Sequence, residues 1–243
     1  MYVKELWRYP VKSLGGERVE ECSVGELGLT SDRTVLVQGP AGRLITSRTH
    51  PQLLALRGSL GNDGQPQING IQWAAPEALN LIRAAAGPAA TLLHWEGPER
   101  FDVLPLSVAT DGAIQHMQFD GRRLRPNTII GDVEGLAERT WPGRNLKIGS
   151  LLIHAQRLRP RCVMTTWDPD TQEQDISVLK RIARDLDGVM SLDCSVFTPS
   201  VVRPHPGASR RQRFSAGRRD AGGSRGMRLY STARVSPGGA RDA

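Results

Sequence analysis

The run Arg159-Pro160-Arg161-Cys162-Val163-Met164-Thr165-Thr166-Trp167-Asp168-Pro169-Asp170-Thr171 organises the reading of this chain. Before it lies a β-branched, apolar segment, Leu151 to Arg157, with the character of a strand. After it comes a segment from Ile176 to Asp187, stopped by Gly188, in which Leu179, Ile182, Ala183 and Leu186 share one helical face. Strand, polar loop and amphipathic helix follow in order, so the helix is expected to pack on a sheet and the loop to sit at the sheet's end.

Working outward, most other segments are also short, β-branched and bounded by Gly, Pro or Asp. Strands are expected at Tyr2 to Tyr9, Arg18 to Val24, Thr34 to Gln38, Leu53 to Leu60, Thr91 to Trp95, Thr128 to Ile130 and Cys194 to Val202. Gly39-Pro40-Ala41-Gly42 reads as a hairpin turn between Val35-Leu36-Val37 and Leu44-Ile45-Thr46. A helix is expected from Pro76 to Ala86, with proline at its start and Gly87 past its end, and a shorter one near Val133 to Arg139. Many short strands with few helices predict a mainly β protein, a β-barrel instead of a doubly wound sheet.

Composition removes several classes of function. No apolar stretch approaches the roughly 18 to 20 residues that span a bilayer, and the N-terminal run lacks the layout of a secretory signal, so a cytoplasmic address is expected. Cys22, Cys162 and Cys194 are scattered, which suggests neither a disulfide framework nor a zinc ribbon nor an all-cysteine iron–sulfur cluster. The net charge of +7 sits in one place: residues 205–243 hold nine arginines and two aspartates, leaving 23 basic and 23 acidic residues in 1–204. That stretch is rich in Gly, Arg, Ser and Ala and is expected to be a disordered basic tail, so the charge argues only weakly for a nucleic-acid partner.

Chemistry concentrates at Cys162. Guanidinium groups beside a thiol favour the thiolate, the form that binds metals, and Arg159 and Arg161 flank this one. Cys22 and Cys194 have apolar neighbours and read as structural. Lys12-Ser13, Asp32-Arg33, Thr46-Ser47-Arg48 and Arg125-Pro126-Asn127 each place donors in a short loop, the kind of group that together holds a phosphate and a heterocycle. His154 lies in an apolar strand and reads as a core histidine.

Taken together, Leu6-Trp7-Arg8-Tyr9-Pro10-Val11-Lys12-Ser13-Leu14, Gly28 to Arg33 and Leu44 to Pro51 resemble the N-terminal β-barrel domain that precedes MOSC domains, the C-terminal domains of molybdenum cofactor sulfurases. Leu124 to Asn127, Leu146 to Ser150 and Arg159 to Thr171 resemble the MOSC domain itself. The resemblance implies a smaller β-barrel-like domain over 1–100, a MOSC β-barrel over 101–204 and the tail over 205–243. It implies Cys162 as thiolate ligand to molybdenum, Lys12, Ser13 and Arg33 at the cofactor phosphate, Thr110, Asp111, Arg125 and Asn127 at the pterin, and Arg161 steadying the loop. At family level it also implies pyridoxal phosphate binding. The implied activity is reduction of N-hydroxylated small molecules with electrons from an external ferredoxin-, flavin- or cytochrome-type donor; the alternative is a cofactor or persulfide carrier using the same cysteine. Three departures stand out: Gly112-Ala113 replaces a serine-containing stretch, Gln172 stands where glycine usually follows Asp-Pro-Asp-Thr, and Val201-Val202-Arg203-Pro204 gives way to the arginine-rich stretch where the family's barrel-closing strand with Val-Gly-Asp is expected.

Overall fold

The computed structural model describes residues 1–205 and 216–217. The protein is mainly β with three α-helices among these residues. Its first part contains β1 (Tyr2–Arg8), β2 (Glu17–Val19), β3 (Cys22–Gly25), β4 (Gly28–Leu29), β5 (Val35–Gln38), β6 (Gly58–Leu60), β7 (Pro66–Ile68), β8 (Ile71–Gln72), α1 (Pro76–Ala86) and β9 (Thr91–His94). There follow β10 (Leu106–Thr110), α2 (Asp111–Met117), β11 (Thr128–Gly131), β12 (Arg144–Ile148), β13 (Leu151–Pro160), α3 (Ile176–Leu186), β14 (Val189–Thr198), β15 (Ser200–Val202) and β16 (Ala216–Gly217).

One eight-stranded sheet in the order β16-β12-β13-β14-β10-β11-β1-β2 organises the molecule. Its centre is buried on both faces. Alternate residues of β10 and β11 point to opposite sides, so Leu106, Val108 and Ile130 join one core while Ala109 and Ile129 join another beneath α2 and α3. β10 and β11 are parallel and are linked through α2, a crossover that covers the second face. A third core, with Val11, Val35, Val37, Ile68 and Ile82, lies under α1 and the small sheets of the first hundred residues. β1 and β2 are built into the large sheet, while β15 returns to pair with β3.

Several expectations change at this level. The large sheet is open among the described residues, because β2 and β16 do not pair, and the closed barrel is not formed. Leu53 to Leu60 is not one strand: Pro51–Ala55 is a 3-10 turn opened by its proline, and only Gly58–Leu60 is extended. The segment from Cys194 to Val202 divides at Pro199, which cannot donate to a ladder. The short helix near Val133 is a 3-10 turn at Ala137–Thr140. On α3 the buried stripe is Val178, Ile182 and Leu186, and Ala183 is exposed. The hairpin contacts Gly39 N–H to Arg43 O and Ile45 N–H to Val37 O are both 2.8 Å, yet the ladder partner of β5 is β9. The expected disordered tail falls outside the described residues apart from Ala216–Gly217, which pairs with β12.

Helix α2 carries little signal in the sequence because it has only seven residues and begins with Asp-Gly. Its glycine is a packing requirement: a Cβ on Gly112 would overlap the Val133 carbonyl oxygen and lie 2.6 Å from that of Gly135. The second departure carries a backbone cost, since Gln172 has φ 63°, the left-handed region that glycine enters freely. Gly112→Ala is therefore expected to lower stability by about 1–3 kcal/mol, seen as a lower urea midpoint with an unchanged slope.

Candidate functional site

Cys162 lies where the long strand β13 ends. Pro160 pairs opposite Val189, Arg161 N–H donates to Gly188 O at 2.9 Å, and the chain then turns through Val163–Thr166. The Cys162 carbonyl accepts from Thr165 N–H at 3.0 Å and Thr165 Oγ1 at 2.9 Å, which fixes the direction of the turn. Its side chain is half-buried and faces a cavity of about 110 Å³. Four other loops reach this cavity, supplying Lys12 and Ser13, Arg33, Thr46 and Arg48, and the Phe101 to Leu104 stretch. Arg123, Arg125 and Asn127 enter from the loop before β11.

Asp32 ties the cavity together. Its wholly buried carboxylate accepts the Tyr9 N–H at 2.8 Å and the Asn127 amide at 3.1 Å, and it pairs with Arg33. Asn127 in turn accepts from Ser107 N–H at 3.1 Å through its Oδ1. Its amide is thus occupied inside the protein, and it acts on the cavity by holding neighbours in place. Tyr9 carries two cations over its ring, Arg33 at 5.0 Å and Arg125 at 4.4 Å from the centroid. Ser13, Arg33 and Arg125 have φ of 75°, 57° and 52°, so three cavity residues hold left-handed backbone that non-glycine residues seldom adopt.

The charge balance of the cavity is lopsided. Lys12, Arg33, Arg48, Arg123, Arg125, Arg159 and Arg161 face it with one carboxylate, Asp102. Asp102 bonds Lys12 Nζ at 2.8 Å and Arg48 at 2.6 Å. Burial raises this carboxyl, but Lys12 and Arg48 outweigh that and bring it down to about 2. For Arg48, burial is opposed by Asp102 and by the nearby Cys162 side chain, and the guanidinium ends above its ordinary value. Arg33, Arg123 and Arg159 are paired with Asp32, Asp168 and the buried Asp193.

Arg125 and Arg161 have no carboxylate partner among the described residues. Burial is the main cause pulling Arg125 down to about 10 and Arg161, beside Arg159, to about 9. Arg161 donates to Ser191 Oγ at 3.1 Å and Leu124 O at 2.7 Å, while its buried Nε has no partner. Two desolvated guanidinium groups without counter-charge, beside a thiol, give the cavity an electrostatic preference for negative charge.

The structure thus brings Lys12, Ser13, Arg33, Arg125, Asn127, Arg161 and Cys162 together, but not Thr110 and Asp111. Thr110 Oγ1 bonds buried Glu138 at 3.0 Å and caps α2 through Ala113 N–H. Asp111 accepts from Asp132 and Val133 N–H groups and pairs with Lys4. Both are spent on anchoring α2. Arg48, Asp102, Arg123, Arg159 and Met164 join the site instead. Arg48 and Arg159 stood in loops already notable for their donors; Asp102 carries no local signal.

Asp32→Ala is expected to cost about 3–5 kcal/mol, because it strands Arg33 and the Asn127 amide, measurable by chemical denaturation. The depressed Asp102 carboxyl contributes stability that is present above about pH 4 and lost as pH falls through about 2. The stability difference between wild type and Asp102→Asn should therefore shrink across that window, as followed by denaturant midpoints at stepped pH.

Comparison with known proteins places this arrangement. Residues 1–94 match the MOSC N-terminal beta barrel domain and residues 106–205 match the MOSC domain. Mitochondrial amidoxime reducing component 2 of Homo sapiens is 24% identical over 246 residues, covering 73% of this chain and 71% of that protein. Mitochondrial amidoxime-reducing component 1 of Homo sapiens is 25% identical over 229 residues, covering 70% and 67%. Among solved structures, the YuaD protein of Bacillus subtilis overlays with a TM-score of 0.42 at 11% identity, over 84% of this chain and 91% of that one. The chain belongs to the family of MOSC domain proteins in which a MOSC N-terminal β-barrel domain precedes the MOSC domain.

Proposed function

We propose that this protein binds the molybdenum cofactor with Cys162 as a thiolate ligand of the metal, and that it reduces N-hydroxylated small molecules. One observation carries the reading: the thiol opens into a cavity with seven basic side chains and one carboxylate, where Arg125 and Arg161 lack counter-charges. The donor set fits a phosphorylated pterin dithiolene. Such a group brings the anionic oxygens and sulfurs that the unpartnered Arg161 Nε and the Arg125 guanidinium require. Cys162 would hold the metal as a soft thiolate, and the surrounding basic side chains would hold the anionic parts of the cofactor.

Lys12 and Arg33, from adjoining loops, are placed to hold the phosphate with Ser13, and Arg125 to face the heterocycle from its seat on Tyr9. Asn127 supports them through Asp32. Arg48 lines the cavity with Cys162 and is itself held by Asp102, which would keep a positive charge beside a metal-bound thiolate. When bound, the cofactor supplies the two-electron couple for breaking an N–O bond. The electrons come from a separate ferredoxin-, flavin- or cytochrome-type protein. Pyridoxal phosphate is not part of this reading: Lys12, the cavity lysine, bonds Asp102 and the Arg100 carbonyl, which leaves one donor for a phosphate and no free amine for an imine.

Three free thiols support a reducing compartment such as the cytoplasm. No helix among the described residues is long and apolar enough to cross a membrane.

The deciding measurement is metal and pterin content of purified protein beside Cys162→Ser, followed by hydroxylamine and amidoxime reduction with a reduced viologen dye. Wild type is expected to hold molybdenum and turn over, and the variant to lose both. Equal molybdenum in the two proteins sinks the ligand assignment. Stoichiometric metal without turnover favours the carrier role.

A further inference from the structure

The carboxylates that neutralise the cavity's basic side chains are not fastened alike. Arg33, Arg123 and Arg159 are paired with fixed ones: Asp32 and Asp193 are wholly buried, and Asp168 accepts the backbone N–H groups of Asp170 at 2.9 Å and Thr171 at 3.0 Å. Asp102 is different. Its side chain is 39% exposed, and its bonds are to two cations alone, Lys12 Nζ at 2.8 Å on one oxygen and Arg48 at 2.6 Å on the other. The stretch that carries it leads from the turn Pro98–Arg100 to β10, and among the described residues 102–104 make no backbone hydrogen bond. The carboxylate therefore stands on a strap held by its two ion pairs.

Its two partners differ in their need for it. The Lys12 side chain is 10% exposed and that of Arg48 is 47% exposed. Burial pulls the Lys12 ammonium down and Asp102 opposes that, so the buried cation is the one that depends on a neighbouring anion. Lys12 has three donors. One goes to Asp102 and one to Arg100 O at 2.8 Å. That carbonyl cannot yield, because the Arg100 side chain is itself buried and bound to Asp32 O at 3.0 Å and Leu27 O at 3.2 Å. Any anion that closes on Lys12 must therefore contend with the Asp102 carboxylate, since two negative groups on one ammonium repel each other.

We propose that Asp102 is a built-in competitor for Lys12: an entering phosphate monoester displaces the carboxylate from the ammonium, and Asp102 moves aside on its strap while keeping Arg48. The inference rests on the reading of Lys12 as a phosphate ligand and adds a control on loading to it. The carboxylate weakens the hold on phosphate and in exchange stabilises a buried lysine. It is an autoinhibitory contact, set against the phosphate and not against the metal end of the cavity, where Arg48 remains paired.

The test is calorimetric titration of the full chain, produced in a host that makes no molybdopterin, with inorganic phosphate at neutral pH and low salt. Asp102→Asn is expected to bind phosphate about tenfold more tightly than wild type, and that gain is expected to vanish when Lys12→Met is added. A carboxylate that only positioned the two cations would act in the opposite direction. Equal or weaker binding by Asp102→Asn, or a gain that survives Lys12→Met, overturns the proposal. Should Asp102→Asn fail to fold, a crystal structure of the wild-type protein in phosphate decides. A phosphate oxygen is expected on Lys12 Nζ in place of Asp102, with Arg48 still paired to Asp102; an intact Lys12–Asp102 contact, with phosphate bound elsewhere or not at all, overturns the proposal. Inorganic phosphate carries neither metal nor pterin, so a failed molybdenum assignment at Cys162 leaves this result standing, and equal phosphate binding leaves that assignment standing.

Discussion

The wholly buried carboxylate of Asp32 is the interaction on which the rest of the site depends. It accepts the Tyr9 N–H where β1 ends, the Asn127 amide just before β11, and the Arg33 guanidinium beside it, while its own carbonyl accepts Arg100 Nε at 3.0 Å. A buried charge is tolerated only when it is paired and fully hydrogen-bonded, and those requirements draw four loops to one point. The same contacts set the Tyr9 ring, on which Arg33 and Arg125 rest. Anchoring one anion thus orients two cations.

Around that anchor the protein divides its arginines by task. Arg122, Arg123 and Arg159 are matched to carboxylates and shape the walls, whereas Arg125 and Arg161 stay without counter-charge. Desolvated cations of this sort are unfavourable until a ligand arrives, which is how a binding site stores affinity for an anion. Beside the charged cavity lies the cleft of Trp7, Tyr9 and Trp167, walled by the same arginine-rich loop. The Cys162 sulfur, a cavity rich in basic side chains and an aromatic cleft share a boundary made of Arg123, Arg125 and Met164.

The sheet explains why these parts meet. β1, from the first residues of the chain, pairs with β11, and β14 lies between β13 and β10, so the ends of β1, β11 and β13 present their loops in one region. The β1–β2 connection carries Ser13, and the neighbouring small sheets add the turns that carry Arg33 and Arg48. No single segment could form the cavity, since six segments contribute to it.

What the sequence determined by itself was local. The helix Pro76–Ala86 follows from its proline and the glycine beyond it, the strand-loop-helix order around Cys162 from periodicity, and the thiol with its flanking arginines from a contiguous motif. Such features depend on neighbours a few residues apart, so they can be read in order along the chain. The tertiary structure decided what depends on distant partners. Asp102 became the carboxylate of the cavity only because Lys12 and Arg48 fold against it, and Thr110 and Asp111 were drawn away by Glu138 and by the backbone at Asp132 and Val133. Among the described residues the openness of the large sheet was likewise settled by which strands found partners: β15 pairs with β3, and β2 pairs with β1 alone. Residue type and spacing specify which groups are available for chemistry, but burial and long-range pairing specify which of them face the same space.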